Sequence, residues 1–307
     1  MPASRSRTER FHDSFHQVCD RGGCLEFSLA SSDQATERSP DLVWRVRLLH
    51  VSESELIVER PTAAGKTLSI LENVPLIGAL VIGQNRWQFE THTLERATAA
   101  RGGQPSMLGG ALRLAMPMTV ERCSRRESGR VSVGNIHLPH VEVWPLLEPS
   151  SVVAAEEANC AALREAERSQ YQVPVQVPRQ ASYLRQQTQH HIQQLASDEL
   201  TLPVVGPKFN ARLMNVGGGG MGLMIDKSET SSASRAKLVW LRVHLEPTIP
   251  LPLGLTAKIV HTHMDSTQNL YAGLAFEFAF HQTHRDFVIE QIERYITLLQ
   301  QPSRAAA

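Results

Sequence analysis

Four arginines, Arg122, Arg125, Arg126 and Arg130, crowd the segment ERCSRRESGR, and a run of glycines fills residues 215–223, NVGGGGMGL. A guanidinium is a fixed planar cation: its fork holds a phosphate by two hydrogen bonds or reads the O6/N7 edge of guanine, and its flat face stacks on a base. Glycine backbone without side chains lets a bulky anion come close. The two segments together suit a ligand that carries both phosphates and guanine edges. Arg126 and Arg130 are four residues apart, so they face one way on a helical turn and remain within reach of one dianion if extended. Taken singly, each segment also has a plainer reading, as solvated linker arginines or as a glycine hairpin needing positive φ.

Other chemistries fit less well. Gly217, Gly219 and Gly222 satisfy the spacing GxGxxG. A dinucleotide loop, however, needs a helix directly after the glycines and an acidic residue some way on, whereas here a hydrophilic turn and the β-rich KLVWLRVHL follow. His261 with His263, His190 with His191, and His281 with His284 invite a metal. No cysteine or carboxylate accompanies them at zinc-ligand spacing, so no metal site is expected. There is no GxSxG elbow, HExxH helix or GxxxxGK[ST] loop, and no catalytic residue is assigned; the expectation is a protein that is not an enzyme.

The elements that must position these residues read mainly as strands. LVWRVRLLHV, SELIVERP, LIGALVIG and RWQFETHTL give a small β-barrel or sandwich within the first ~120 residues, and ALRLAMPMTV returns as a strand into the arginine cluster. The cluster is therefore expected on a connector between domains. From about residue 148 to 202 the texture changes to AEEANCAALREAERSQ, a proline-spaced VPVQVPRQ and ASYLRQQTQHHIQQLA, an insertion whose outer pieces favour helix. Strand texture resumes in FNARLMNV, GLMI, KLVWLRVHL, LGLTAKIVHTH and LYAGLAFEFAF. The chain then reads as a helix with Val288, Ile292, Ile296 and Leu299 in one stripe. The expected domains are 1–121 and 122–307. With 307 residues, 42% hydrophobic and 20% charged, the chain is long enough for two cores, and its 31 basic and 31 acidic residues cancel. Anion binding must then come from local clustering, which argues against a broad DNA-binding surface. The start lacks an apolar core of signal-peptide length and the longest apolar run, 74–82, is too short to span a membrane, so a cytoplasmic location is expected, with Cys19, Cys24, Cys123 and Cys160 as reduced thiols.

Taken together, SRRESGR and NVGGGGMGL resemble the two signature segments of the PilZ domain, the bacterial receptor module for cyclic di-GMP. Arg126 and Arg130 match RxxxR. Asn215, Gly220 and Gly222-Leu223 match [D/N]xSxxG followed by xGL. The order of a β-rich domain, hinge arginines, six-stranded barrel and closing helix resembles the two-domain PilZ proteins of the flagellar-brake type. The implied fold is mainly β, with an N-terminal split-barrel-like domain, a C-terminal six-stranded barrel, a C-terminal helix and a partly helical insertion.

The resemblance implies that Arg126 and Arg130 grip phosphates and guanine edges, that Asn215 offers its carbonyl to the N1 and N2 donors of guanine, and that Gly220 lets backbone come close. Arg125 would neutralise the further phosphates of an intercalated ligand dimer. The family's serine is Gly217 here, which forfeits one hydroxyl hydrogen bond, roughly 0.5–1.5 kcal/mol or about tenfold in affinity. The implied function is a cyclic di-GMP receptor that shifts its domains to control motility, adhesion or exopolysaccharide output through a protein partner, such as flagellar motor or polysaccharide machinery. The competing expectation is a scaffold of the same fold with weak or lost ligand binding.

Overall fold

The computed structural model describes residues 11–29, 41–82, 85–95, 111–122, 137–171, 201–217, 219–233, 236–265 and 267–300. Helix α1 (Phe11–Asp20) opens the chain. Strands β1 (Cys24–Leu29), β2 (Val43–Val51), β3 (Glu55–Glu59), β4 (Thr62–Ala63), β5 (Lys66–Thr67), β6 (Pro75–Ile82), β7 (Asn85–His92), β8 (Ala111–Ala115) and β9 (Val120–Arg122) follow. The sequence pattern assigns no element before LVWRVRLLHV. Phe11, Phe15 and Val18 nevertheless share one face, Phe15 and Val18 are buried, and Phe15 meets the Phe89 ring edge-on at 5.2 Å. Gly22, at φ +63°, ends the helix while Gly23 N–H returns to Val18 O at 2.8 Å.

In this half β1 lies between β2 and β6, and the sheet runs on from β2 to β3 and β8 and from β6 to β7. The Thr93–Leu114 bridge and a Leu94 N–H bond to Arg113 O join β8 to the end of β7, which closes a six-stranded ring. Strand β9 pairs with β7, placing Arg122 opposite Trp87.

The second half contains β10 (His140–Pro145), α2 (Val152–Tyr171), β11 (Phe209–Val216), β12 (Gly220–Ile225), the single turn α3 (Thr230–Ala233), β13 (Leu238–Val243), β14 (Leu253–Met264), β15 (Leu270–Phe276) and α4 (His284–Gln300). The six strands run β10-β13-β14-β15-β12-β11, and β10 pairs back onto β11. That closure is the six-stranded barrel expected from the sequence. In α4, Val288, Ile292 and Ile296 are buried, so the predicted stripe is the face that packs. No helix among the described residues is long and apolar enough to cross a membrane.

The insertion leaves the barrel through a zipped neck. Leu146 bridges Val205, Gly206 N–H bonds Pro145 O at 2.8 Å, and Val204 N–H bonds the Ser151 hydroxyl at 2.8 Å. Its first helical piece, α2, lies on the barrel with Val152, Ala155, Ala162, Leu163 and Ala166 buried. Small alanines permit this close approach, and burying Val152 and Leu163 contributes about 1.5–3 kcal/mol each. The second helical piece expected from the sequence lies outside the described residues.

Asn159 fastens α2 to strand β14: its Nδ2 donates to Pro252 O at 2.9 Å and its Oδ1 accepts from Gly254 N–H at 2.8 Å, both buried. Asn159→Ala orphans a buried carbonyl and a buried N–H, and should lower stability by roughly 2–4 kcal/mol. Urea unfolding with an unchanged midpoint would contradict this account of the contact.

Candidate functional site

The glycine run joins β11 to β12, strand to strand, so the helix that a dinucleotide loop requires is absent. Its geometry turns on a break in alternation. Phe209, Ala211 and Leu213 are buried in the core, and continued alternation would send Asn215 the same way. A bulge between Leu213 and Asn215 adds one residue, Met214, so that Asn215 pairs with Gly222 while Val216 pairs with core residue Met221. Asn215 thereby turns out of the barrel core onto the opposite face, where it remains buried at 8% exposure. On β14 a second bulge, between Ile259 and His261, sets His261 opposite Gly273 instead of a core position. Because Gly222 itself pairs with Gly273, the four residues Asn215, Gly222, Gly273 and His261 form one row across four strands.

The centre of that row has no side chains, and it is covered by rings. A Cβ on Gly222 would lie 2.2 Å from the Tyr271 hydroxyl and 2.8 Å from Asn215 Oδ1, and a Cβ on Gly273 would lie 2.0 Å from the His261 ring. Tyr271 in turn lies 4.8 Å from His263 and 6.1 Å from His261, ring centre to ring centre, with planes tilted by 33° and 34°. Tyr271 and His261 therefore cover two glycines beside an amide, and the His263 ring extends the shelf alongside Tyr271.

The amide is oriented from the other barrel. Asn215 Nδ2 donates to Glu26 Oε1 at 3.2 Å, and Glu26 Oε2 holds Arg86 Nη1 at 2.6 Å. A carboxylate only accepts, so the NH₂ must face Glu26 and the carbonyl oxygen is left toward Gly222. Val216 pairs with Trp44 in the single parallel contact between β11 and β2, next to this bond.

Among the glycines named from sequence, Gly220 is held by contact: a Cβ there would lie 1.8 Å from Leu274 O, a backbone atom. Gly217 has nothing within 4 Å of such a Cβ, and neither it nor Gly219, Gly220 and Gly222 has positive φ. At Gly220 and Gly222 the requirement for glycine is proximity, not left-handed backbone. Arg125, Arg126 and Arg130 lie outside the described residues. The two ends of their segment are described. Arg122 pairs with Trp87, adjacent to Arg86, and His137 is clasped by Asp41, whose backbone N–H donates to His137 O at 2.6 Å and whose carboxylate accepts His137 N–H at 2.8 Å.

Sequence reasoning missed Glu26, Arg86, Tyr271 and Gly273. It named His281 and His284 but missed the buried carboxylate between α2 and strand β14 that they gather around. Glu156 on α2 accepts from Thr256 Oγ1 at 3.0 Å and lies 2.9 Å from His281 Nδ1, while His284 Nε2 donates to Gly254 O at 2.8 Å. Burial pushes the Glu156 carboxyl up to about 7 against the bonds from Thr256 and His281. Burial likewise lowers His284 to about 4.

No protein-family model and no curated protein matches the chain. Solved structures do. The Bacillus subtilis inhibitor of motility MotI/DgrA aligns at 11% identity over 91% of this chain and 98% of its own, with a TM-score of 0.26. The MrkH–c-di-GMP complex of K. pneumonia aligns at 10% identity over 95% and 94%, TM-score 0.27. YcgR in complex with c-di-GMP from Escherichia coli aligns at 11% identity over 93% and 90%, TM-score 0.25. At such scores the fold rests on the strand pairing itself. The fold is the one that the PilZ resemblance implies.

Close packing separates Gly220 from Gly217. Gly220→Ala should destabilise by about 1–3 kcal/mol or more, because backbone must shift, and Gly217→Ala should stay within about 0.5 kcal/mol. Thermal unfolding of both variants checks this; equal melting points would remove the distinction.

Proposed function

We propose that this protein is a non-enzymatic cyclic di-GMP receptor whose outer row at Asn215 receives a guanine. The observation that carries the reading is the row itself: a carbonyl oxygen with its amide nitrogen already committed to Glu26, next to a shelf of rings on side-chain-free backbone. Guanine presents adjacent N1 and N2 donors and a flat π face, so the oxygen and the rings address different parts of the same base. Arg126 and Arg130, with Arg125, supply the phosphate and guanine-edge contacts from a segment whose described ends are anchored beside Arg86 and at Asp41.

Ligand binding reports to the N-terminal barrel because Glu26 belongs to that barrel and Asn215 to the other. A base at Asn215 alters a side-chain bond that joins the two at this edge, and the bound state favours whichever barrel arrangement also engages the arginines. The changed surface then acts on a protein partner in motility, adhesion or exopolysaccharide production.

Calorimetric titration with cyclic di-GMP should give saturable binding that Arg126→Ala weakens at least about tenfold. A flat titration at tens of micromolar overturns the receptor reading. Gly217→Ser enters open space and restores the missing hydroxyl, so its affinity should rise by up to about tenfold. Small-angle scattering curves that superimpose with and without ligand would remove the rearrangement and leave the binding.

A further inference from the structure

We propose that Glu156, His281 and His284 form a Zn²⁺ site that fastens helix α2 to the barrel. The three residues come from the insertion helix, the turn before α4 and the first position of α4, and one ligand atom from each lies within 4.8 Å of the other two. Glu156 and His284 are only 1% and 2% exposed, so their polar atoms converge in a place where water does not compensate them.

The outer bonds are those that metal ligands need. His284 Nε2–H is spent on Gly254 O, which fixes the tautomer and leaves the Nδ1 lone pair free. Glu156 Oε1 accepts from Thr256, which leaves Oε2 toward His281. Both anchors sit on the rigid strand β14, the arrangement that orients metal-bound histidine and carboxylate elsewhere. A simple buried ion pair would require Glu156 and His281 alone. The His284 ring, stacked at 16° on His281 with centres 5.7 Å apart, adds a third donor that such a pair does not use.

Two imidazoles and a carboxylate select Zn²⁺ over Mg²⁺ or Ca²⁺, which prefer all-oxygen shells, and over Cu(I), which prefers sulfur. Tetrahedral Zn²⁺, bonded at ~2.0–2.1 Å, holds its ligand atoms about 3.3 Å apart. The ion therefore replaces the proton shared by Glu156 Oε2 and His281 Nδ1, releasing it to solvent, and draws the third donor inward. The His281 side chain is 18% exposed, so the fourth position opens on that side to water. The trio His140, Glu142 and His244 also clusters, but the Lys208 ammonium already occupies Glu142 at 2.7 Å.

The test uses full-length protein without a histidine tag, stripped with a chelator, incubated with zinc chloride and passed through gel filtration. Elemental analysis should find one zinc per chain, and zinc should raise the melting temperature of the wild type. Competition with a colorimetric zinc chelator should show affinity reduced roughly 100-fold or more in both Glu156→Gln and His281→Ala, and unchanged in His92→Ala. His281 lies in a partly exposed turn, and far-ultraviolet dichroism verifies that its variant is folded. Zinc lost on filtration, or held equally by wild type and His281→Ala, overturns the site.

Discussion

A strand turns alternate side chains to opposite faces, and the candidate site exists because that parity is broken twice. The extra residues Met214 and Val260 stand on either side of a glycine pair, and each converts the next residue from an inward to an outward position. Without the first, Asn215 would enter a core built from Leu213, Leu223 and Met221. Without the second, His261 would do the same. Gly222 and Gly273 then allow the Tyr271 and His261 side chains to lie down on the sheet, where any Cβ would lift them.

The bulges also govern how the two barrels meet. Only an outward Asn215 can reach Glu26, and Glu26 is in turn paired with Arg86 in a partly buried ion pair. A second set of contacts lies along α4. Lys66 pairs with Glu293, Arg285 donates to Ala64 O, and Gln300 accepts from Leu71 N–H. These α4 contacts are partly exposed and individually weak, whereas the bond at Asn215 sits among buried strands. Among the described residues the barrels thus meet both at the Asn215 edge and along α4.

Much of the architecture was legible in the chain. Alternation in LVWRVRLLHV and KLVWLRVHL, and the Val288, Ile292 and Ile296 stripe, translate directly into strands and a packed helix because their periods are local. Helix α1 was hidden because its three apolar residues are diluted by charge, and Phe15 shows its role only against Phe89. The site was legible in part. Asn215 and Gly220 stand out by type and spacing, but a bulge is visible only when the partner strand is counted, and Glu26, Tyr271 and Gly273 reach the row by pairings from distant strands. Glu156 was invisible for the same reason, since its histidines lie 125 and more positions away.

The neck at Pro145, Leu146, Val205 and Gly206 has a consequence of its own. Since its strands are bonded to each other before the chain departs, the barrel's ring is complete without anything beyond them, and the length of the excursion is decoupled from closure. Such a stem is a natural splice point, where the length of the excursion can change while the barrel below keeps its register, provided α2 keeps its packing.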